Sequence, residues 1–382
     1  MSTGDACHNC ERKVFIIGLA SKCLSDNGRM MRQMRIGFVI GGWIILVGLT
    51  LAGGALLLGL RSWPYELLHH FLLHYLILSS FLATGFLLLK RRVAASFSAM
   101  LLMVFAGNLS SAYSVSGRGL YWEVATSPGD NQDRPHSLTV ITYNVLDTNK
   151  HHRELRNWLR SSPADVVALQ EVPSREVALY REEHIYPHQL EIFDPALNHP
   201  NFPDNKALVV LSKYPVVAEP NFKPFNQSRP IAIVRISVPN AQDPWIVVVD
   251  AWDPKTTISL ASRDRLLLGI AGKISELRGP IVVAGDFNAT PFTPVFKDFL
   301  RLANVSFSQL PVSTFPAILG WLGIPVDHIL VRDVQVTDVE ALSSIGSDHR
   351  PLKATLILPE QGLTEGAPGD CSSQSYVSDL QP

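Results

Sequence analysis

Residues 36–60 (IGFVIGGWIILVGLTLAGGALLLGL) carry no charged side chain, and the run is longer than the ~20 residues a helix needs to cross the hydrocarbon core of a bilayer. In lipid a backbone must satisfy its own polar groups, so an uninterrupted apolar run of this length is a spanning helix. A second span is predicted over 67–89, with His69, His70 and His74 near its start and Lys90, Arg91 and Arg92 closing it. A third, shorter run over 93–109 follows at once. A cleavable signal peptide is the rival for the first run, but its apolar stretch is too long and further spans follow it. Gly41, Gly42, Gly53 and Gly54 suit close packing between helices.

Arg29, Arg32 and Arg35 precede the first span, and Lys90, Arg91 and Arg92 separate the second from the third, so both basic flanks are expected on the cytoplasmic side. Three crossings then place everything after residue 110 on the far side, periplasmic or extracellular. Two crossings would leave it in the cytoplasm. The expected organisation is a cytoplasmic leader over 1–35, a transmembrane region over 36–110, a linker over 111–136, a catalytic domain over 137–358 and a disordered tail over 359–382. Glu66, at a margin, is the single acid of the spans, so they read as an anchor in the bilayer rather than a transport pathway.

Cys7, Cys10 and Cys23 lie in the leader and Cys371 is alone in the tail, which makes no disulfide framework. Cys7 and Cys10 have the spacing of half a zinc site without a second pair to complete it. Residues 111–382 hold 23 Lys and Arg against 30 Asp and Glu. A domain that grips nucleic acid without regard to sequence normally presents a basic stripe, and this acidic one shows none.

Short β-branched runs are predicted as strands over 137–145, 165–172, 207–211, 231–238, 245–252, 281–285, 328–331 and 352–358. Helical spacing covers 150–160, 262–277 and 294–302. Strands outnumber helices and do not alternate strictly with them, which predicts an α/β sandwich of two stacked sheets with helices outside.

The polar residues sit at strand ends. Asn144 closes the first strand, Glu171 the second, and Asp286 with Asn288 the sixth; Asp327-His328 and Ser347-Asp348-His349 each precede another. A hard divalent cation such as Mg²⁺ takes carboxylate and amide oxygens, which Glu171, Asp286, Asn288 and Asp348 offer, and phosphoester hydrolysis is a common use of such a site. Taken singly, each of these is more economically a turn or a strand end.

Four motifs occur in order: Thr142-Tyr143-Asn144-Val145, Leu169-Gln170-Glu171-Val172, Gly285-Asp286-Phe287-Asn288-Ala289-Thr290-Pro291 and Gly346-Ser347-Asp348-His349-Arg350-Pro351-Leu352. With Leu211-Ser212-Lys213-Tyr214-Pro215 and Pro325-Val326-Asp327-His328-Ile329-Leu330 they resemble the endonuclease/exonuclease/phosphatase superfamily, the DNase I-like fold, over residues 137–358. The resemblance implies Mg²⁺ or Mn²⁺ held by Glu171 and Asn144, with Asp348 close enough to join. It implies Asp286 as the carboxylate that positions or deprotonates the attacking water and Asn288 as an amide on that water or the phosphoryl oxygens. It further implies His349 beside the phosphate, oriented by Asp327.

At one place the chain departs from the family. Many members put a histidine on the strand matching residues 246–254, where this chain has Trp252; an indole donates a hydrogen bond but cannot shuttle a proton. That departure opens the alternative of a weak or inactive ligand-binding member. Arg229, just before the strand over 231–238, suits a substrate phosphate, and His328 is expected to face away from the site. Nuclease-like hydrolysis of phosphodiester or phosphomonoester bonds is the implied activity. A phospholipid or small-molecule phosphodiesterase or phosphatase is the alternative, and no protein partner is implied.

Overall fold

The computed structural model describes residues 5–114, 136–162, 164–193, 206–218, 229–307 and 311–361, the side chains of 5–28 and 113–114 excepted. The predicted linker and tail fall largely outside them. Helix α1 (Asp5–Leu57), a 3-10 segment (Tyr65–Phe71), α2 (Leu72–Leu88) and α3 (Arg92–Ser114) come first. Three stretches are long and apolar enough to cross a membrane: Arg29–Leu57, Tyr65–Leu88 and Arg92–Ala112. Leu46, Leu49, Leu72, Leu82, Phe86 and Phe105 pack between the helices, while Ile44, Leu51, Ile77, Phe81, Leu88 and Met103 point outward. Helices that are apolar inside and out belong in lipid or in a large core.

The remainder is a layered sandwich. One sheet has the order β10-β11-β1-β2-β4-β3 and the other β5-β6-β7-β8-β9. In chain order these are β1 (Ser137–Asn144), β2 (Val166–Pro173), β3 (His188–Phe193), β4 (Lys206–Ser212), β5 (Val216–Ala218), β6 (Ala232–Ile236), β7 (Trp245–Asp250), β8 (Ile281–Asp286), β9 (Asp327–Arg332), β10 (Gln335–Ala341) and β11 (Leu352–Ile357). Helices α4 (His152–Ser161) and α5 (Ser174–Glu182) cover the first sheet; α6 (Thr257–Glu276) and α7 (Pro294–Ala303) cover the second. Between the sheets, Val140, Val166 and Val210 meet Val234, Val248 and Val282 in the central layer. Strands buried on both faces read as continuous apolar runs, and these are the strands the sequence pattern predicts.

Three strands and a helix escape that pattern. β10 is a largely exposed edge strand of polar composition, β3 is a half-buried edge, and β5 has three residues; edges have no second core face to impose alternation. α5 follows β2 directly from Pro173, with too few turns to show a period. α6 begins at Thr257, earlier than its helical spacing predicts, because Thr256 and Ser259 form a capping box.

The two parallel pairs set the site. β1 pairs with β2 and β7 with β8, joined through α4 and α6, so four strand ends converge on one edge. β7 and β8 approach closely at Gly285, which has φ +145°, and a Cβ there would enter the Val249 backbone. Gly285→Ala is therefore expected to destabilise the chain by about 3 kcal/mol or more, combining backbone strain with overpacking. Thermal unfolding of the full chain in detergent checks this; an unchanged midpoint would contradict it.

Candidate active site

Asp250, Asp286 and Asp327 stand at matched register on β7, β8 and β9. Residues opposite one another on neighbouring strands share a face, so three carboxylates form a row at the strand ends. Facing them from the other sheet are Asn144, at the end of β1, and Glu171. A bulge in the β2–β4 pairing between Leu169 and Val172 breaks the ladder, and Glu171 takes φ +57°. A left-handed glutamate is costly; here it turns a carboxylate out of the ladder toward the opposing sheet.

Asn144 Nδ2 donates to Glu171 Oε1 at 3.3 Å and to Asp286 Oδ2 at 3.1 Å, joining the sheets. Asp286 also accepts from the Asn288 backbone N–H at 2.8 Å and from Asn288 Nδ2 at 3.1 Å. Asn288 Nδ2 donates in addition to Ala251 O at 3.0 Å, so this amide fixes Asp286 rather than reaching outward. The last motif is tied to β1 by Ser347 Oγ, which donates to Asn144 O at 2.7 Å. His349 N–H donates to Ser347 Oγ at 3.0 Å. His349 Nδ1 lies 2.9 Å from Asp327 Oδ2 and its Nε2 lies 3.8 Å from Asp286 Oδ2.

These groups are buried together, and their charges answer to one another. Burial, then the neighbouring Asp327 carboxylate, pushes the Asp286 carboxyl up to about 8. Burial alone would discharge the His349 imidazole, but Asp327 and Asp286 outweigh it and raise its pKa to about 10. The His349 imidazole is therefore held protonated at neutral pH.

Asp348, adjacent, is exposed at the rim, and its backbone carbonyl accepts from Ala317 N–H at 2.6 Å. Arg229 Nη1 donates to Asp250 Oδ2 at 3.1 Å and its guanidinium lies 4.7 Å from the centre of the Trp252 ring. Both therefore flank the carboxylate row. His328 faces the other way: Nε2 meets Ala289 O at 2.8 Å, the ring packs on Phe287 and Phe296, and burial lowers its pKa to about 4.

Asp250 and Lys206 also belong to the constellation, and the strand-end reading did not single them out. Lys206 Nζ bonds Glu171 Oε2 at 2.7 Å and Asp147 Oδ2 at 2.9 Å. Burial would raise the Glu171 carboxyl, but the Lys206 charge lowers it below the usual range. Asp250 ends β7 as Asp286 ends β8, a signal present in the sequence; Lys206 opens β4 and reaches Glu171 only through the antiparallel pairing.

The donor set suits a hard divalent cation. One ligand atom from each of Asp286, Asp327 and His349 lies within 4.8 Å of the others. Asp327 Oδ1 is buried without a hydrogen-bond partner among the described residues. Asn144 and Glu171 add oxygen donors beside them. These carboxylate and amide oxygens fit a hard divalent cation, with the protonated His349 beside it as a hydrogen-bond donor.

Residues 141–349 match the model of the Endonuclease/Exonuclease/phosphatase family. The chain is 29% identical over 107 residues to a UPF0294 protein of Vibrio cholerae serotype O1, covering 28% of this chain and 38% of that protein. It is 28% identical over 162 residues to a UPF0294 protein of Klebsiella pneumoniae, covering 41% of this chain and 59% of that one. The chain thus spans less than two thirds of the length of these relatives. Among solved structures, an endonuclease/exonuclease/phosphatase from Beutenbergia cavernae is similar at a TM-score of 0.48 and 18% identity, over 59% of this chain and 72% of that one. The family match spans more than half of the chain, contains the first three strand-end motifs and reaches the fourth as far as His349, so the chain belongs to the endonuclease/exonuclease/phosphatase family.

Proposed function

We propose that the chain is a membrane-anchored, divalent-metal-dependent phosphoesterase that cleaves phosphodiester or phosphomonoester bonds by in-line attack of water. The buried Asp286–His349–Asp327 cluster where the two sheets meet carries the reading. Glu171 and Asn144, with Asp348 at the rim, would hold Mg²⁺ or Mn²⁺, which when bound supplies Lewis-acid polarisation of a phosphoryl oxygen. Asp286 positions and deprotonates the water. Its oxygens are preset by N–H groups of Asn144 and Asn288, so little reorganisation accompanies reaction. His349, kept protonated through Asp327, presents Nε2–H to a non-bridging oxygen as charge develops there. Arg229 and Trp252 form the adjoining wall and contact the substrate.

The helices support an orientation. The segment between α1 and α2 meets the catalytic domain, through Arg61 with Asp298 and Glu66 with Arg263, while Arg29, Arg32, Arg35 and Lys90 to Arg92 lie at the opposite ends of the apolar stretches. With basic flanks cytoplasmic, residues 137–358 form a domain on the periplasmic or extracellular face.

A substrate panel tests the reading: the full chain in detergent with Mg²⁺ or Mn²⁺, offered bis-(p-nitrophenyl) phosphate, p-nitrophenyl phosphate, DNA and sphingomyelin. Hydrolysis of at least one, abolished by EDTA, is expected; metal-independent turnover would contradict it. Lys206 supplies a further prediction, since its ammonium competes with a cation for Glu171. Lys206→Met is expected to tighten Mn²⁺ binding on the order of tenfold by calorimetry, and weaker binding would show instead that Lys206 holds Glu171 in place for the ion.

A further inference from the structure

Residues 315–324 read Phe-Pro-Ala-Ile-Leu-Gly-Trp-Leu-Gly-Ile, without one polar side chain. In a water-facing domain such a run belongs to the core. Here it does not. Its 3-10 tip, Ala317–Leu322, leaves Ile318 92% exposed, Trp321 76% and Leu319 50%. The neck is closed by paired backbone bonds between Phe315 and Ile324, and a Cβ at Gly323 would strike Phe315 O, so the tip is a shaped projection. Contiguous exposed apolar surface of this kind marks a contact with something other than water.

Its position says what that something is. Leu322 O lies 2.7 Å from His74 Nε2, in the first turn of α2. The tip is therefore level with the end of the apolar bundle that faces the catalytic domain. Trp63, Tyr65 and Phe71 are exposed at the same end, and with Trp321 they form the aromatic belt that spanning proteins place at headgroup level.

We infer that the 315–324 loop is seated in the interfacial layer of the bilayer that α1–α3 span, with Ile318 and Trp321 inserted beside the bundle. This rests on the reading of α1–α3 as membrane spans. Because Ala317 N–H donates to Asp348 O and the Phe315 ring packs 4.9 Å from that of His349, the seated loop fixes the height of the catalytic edge above the membrane. A partner protein is the competing occupant, but it would not require the tip to lie level with the helix ends.

The test places an environment-sensitive fluorophore (NBD) on single cysteines of the full chain in phosphatidylcholine nanodiscs. The native Cys7, Cys10, Cys23 and Cys371 are first replaced by serine. Ile318→Cys reports the loop; its exposure lets it carry a label without disturbing packing. Ile44→Cys, on the outer side of α1, reports the spans, and Gln335→Cys, at the sheet end remote from the site, reports water. The inference expects blue-shifted emission at 318, quenched by shallow doxyl-labelled phosphatidylcholine, with 44 quenched by the deep doxyl label and 335 by neither. A water-like 318 beside a quenched 44 overturns the inference while leaving the spans intact. A water-like 44 overturns the spanning reading and this inference with it.

Discussion

Asp286→Asn is expected to lower kcat for phosphoester hydrolysis about a thousandfold, with KM little changed, because a positioned general base contributes about 10² to 10⁴ in rate. The substitution keeps the volume of a fully buried side chain, so folding survives. It exchanges a carboxylate that accepts from Asn144 and Asn288 for an amide with one acceptor oxygen, and an amide cannot take a proton from water. Steady-state kinetics with metal in excess separates the effects. A fall confined to kcat locates the defect in the chemical step; a rate within a few-fold of the parent would remove Asp286 from the role proposed for it.

The second large effect lies away from the reacting groups. Arg263 is fully buried; its Nη2 bonds Glu66 Oε1 at 2.7 Å and Asp264 Oδ1 at 2.7 Å, and its Nη1 donates to Asn288 O at 3.0 Å. Glu66 comes from the segment between the first two apolar helices, so one buried ion pair joins the helical bundle to the backbone that carries Asn288. Breaking a buried pair from one side strands a charge and typically costs about 3–5 kcal/mol. Glu66→Ala in the full chain is expected to cost about 3 kcal/mol, the low end because Asp264 retains part of the compensation. Removing both charges in Glu66→Met with Arg263→Met should recover most of it, since an apolar pair of similar volume is often neutral. Thermal unfolding in one detergent compares the three chains. Equal midpoints for Glu66→Ala and the parent would mean that the helices only tether the domain.

Strand ends were where the sequence was legible. Val140 to Asn144, Val166 to Glu171 and Ile281 to Asp286 are apolar runs closed by a polar residue, because strands buried on both faces must end where water returns. The two-sheet sandwich follows from those runs, and the structure brings their terminal residues to one edge. Asp250 has the same placement, closing β7 opposite Asp286. Lys206 and Arg263 were not legible as site neighbours. Their partners Glu171 and Glu66 are 35 and 197 residues away in sequence, and charge pairing at such distances is set by register and docking, which no local pattern encodes. The 315–324 run is apolar throughout, which in a sequence signals burial, and the exposure of Ile318 and Trp321 is visible only in the structure.

Arg229 and Trp252 bear on the question the missing histidine raised. The guanidinium over the indole and its bond to Asp250 build a cationic wall beside the carboxylate row. That wall suits contact with an anionic ester, and because the indole cannot shuttle a proton it leaves protonation of the leaving group to water.

The central claim is that this chain hydrolyses phosphoesters with a divalent metal at the junction of its two sheets. Its most direct test is the rate of bis-(p-nitrophenyl) phosphate hydrolysis by the full chain in detergent, first with Mn²⁺ and then with excess EDTA, while circular dichroism follows the fold. The account predicts turnover with Mn²⁺, its loss on chelation with the fold intact, and its return when Mn²⁺ is restored. Folded, Mn²⁺-binding protein that hydrolyses neither this ester nor any other in the substrate panel would contradict it.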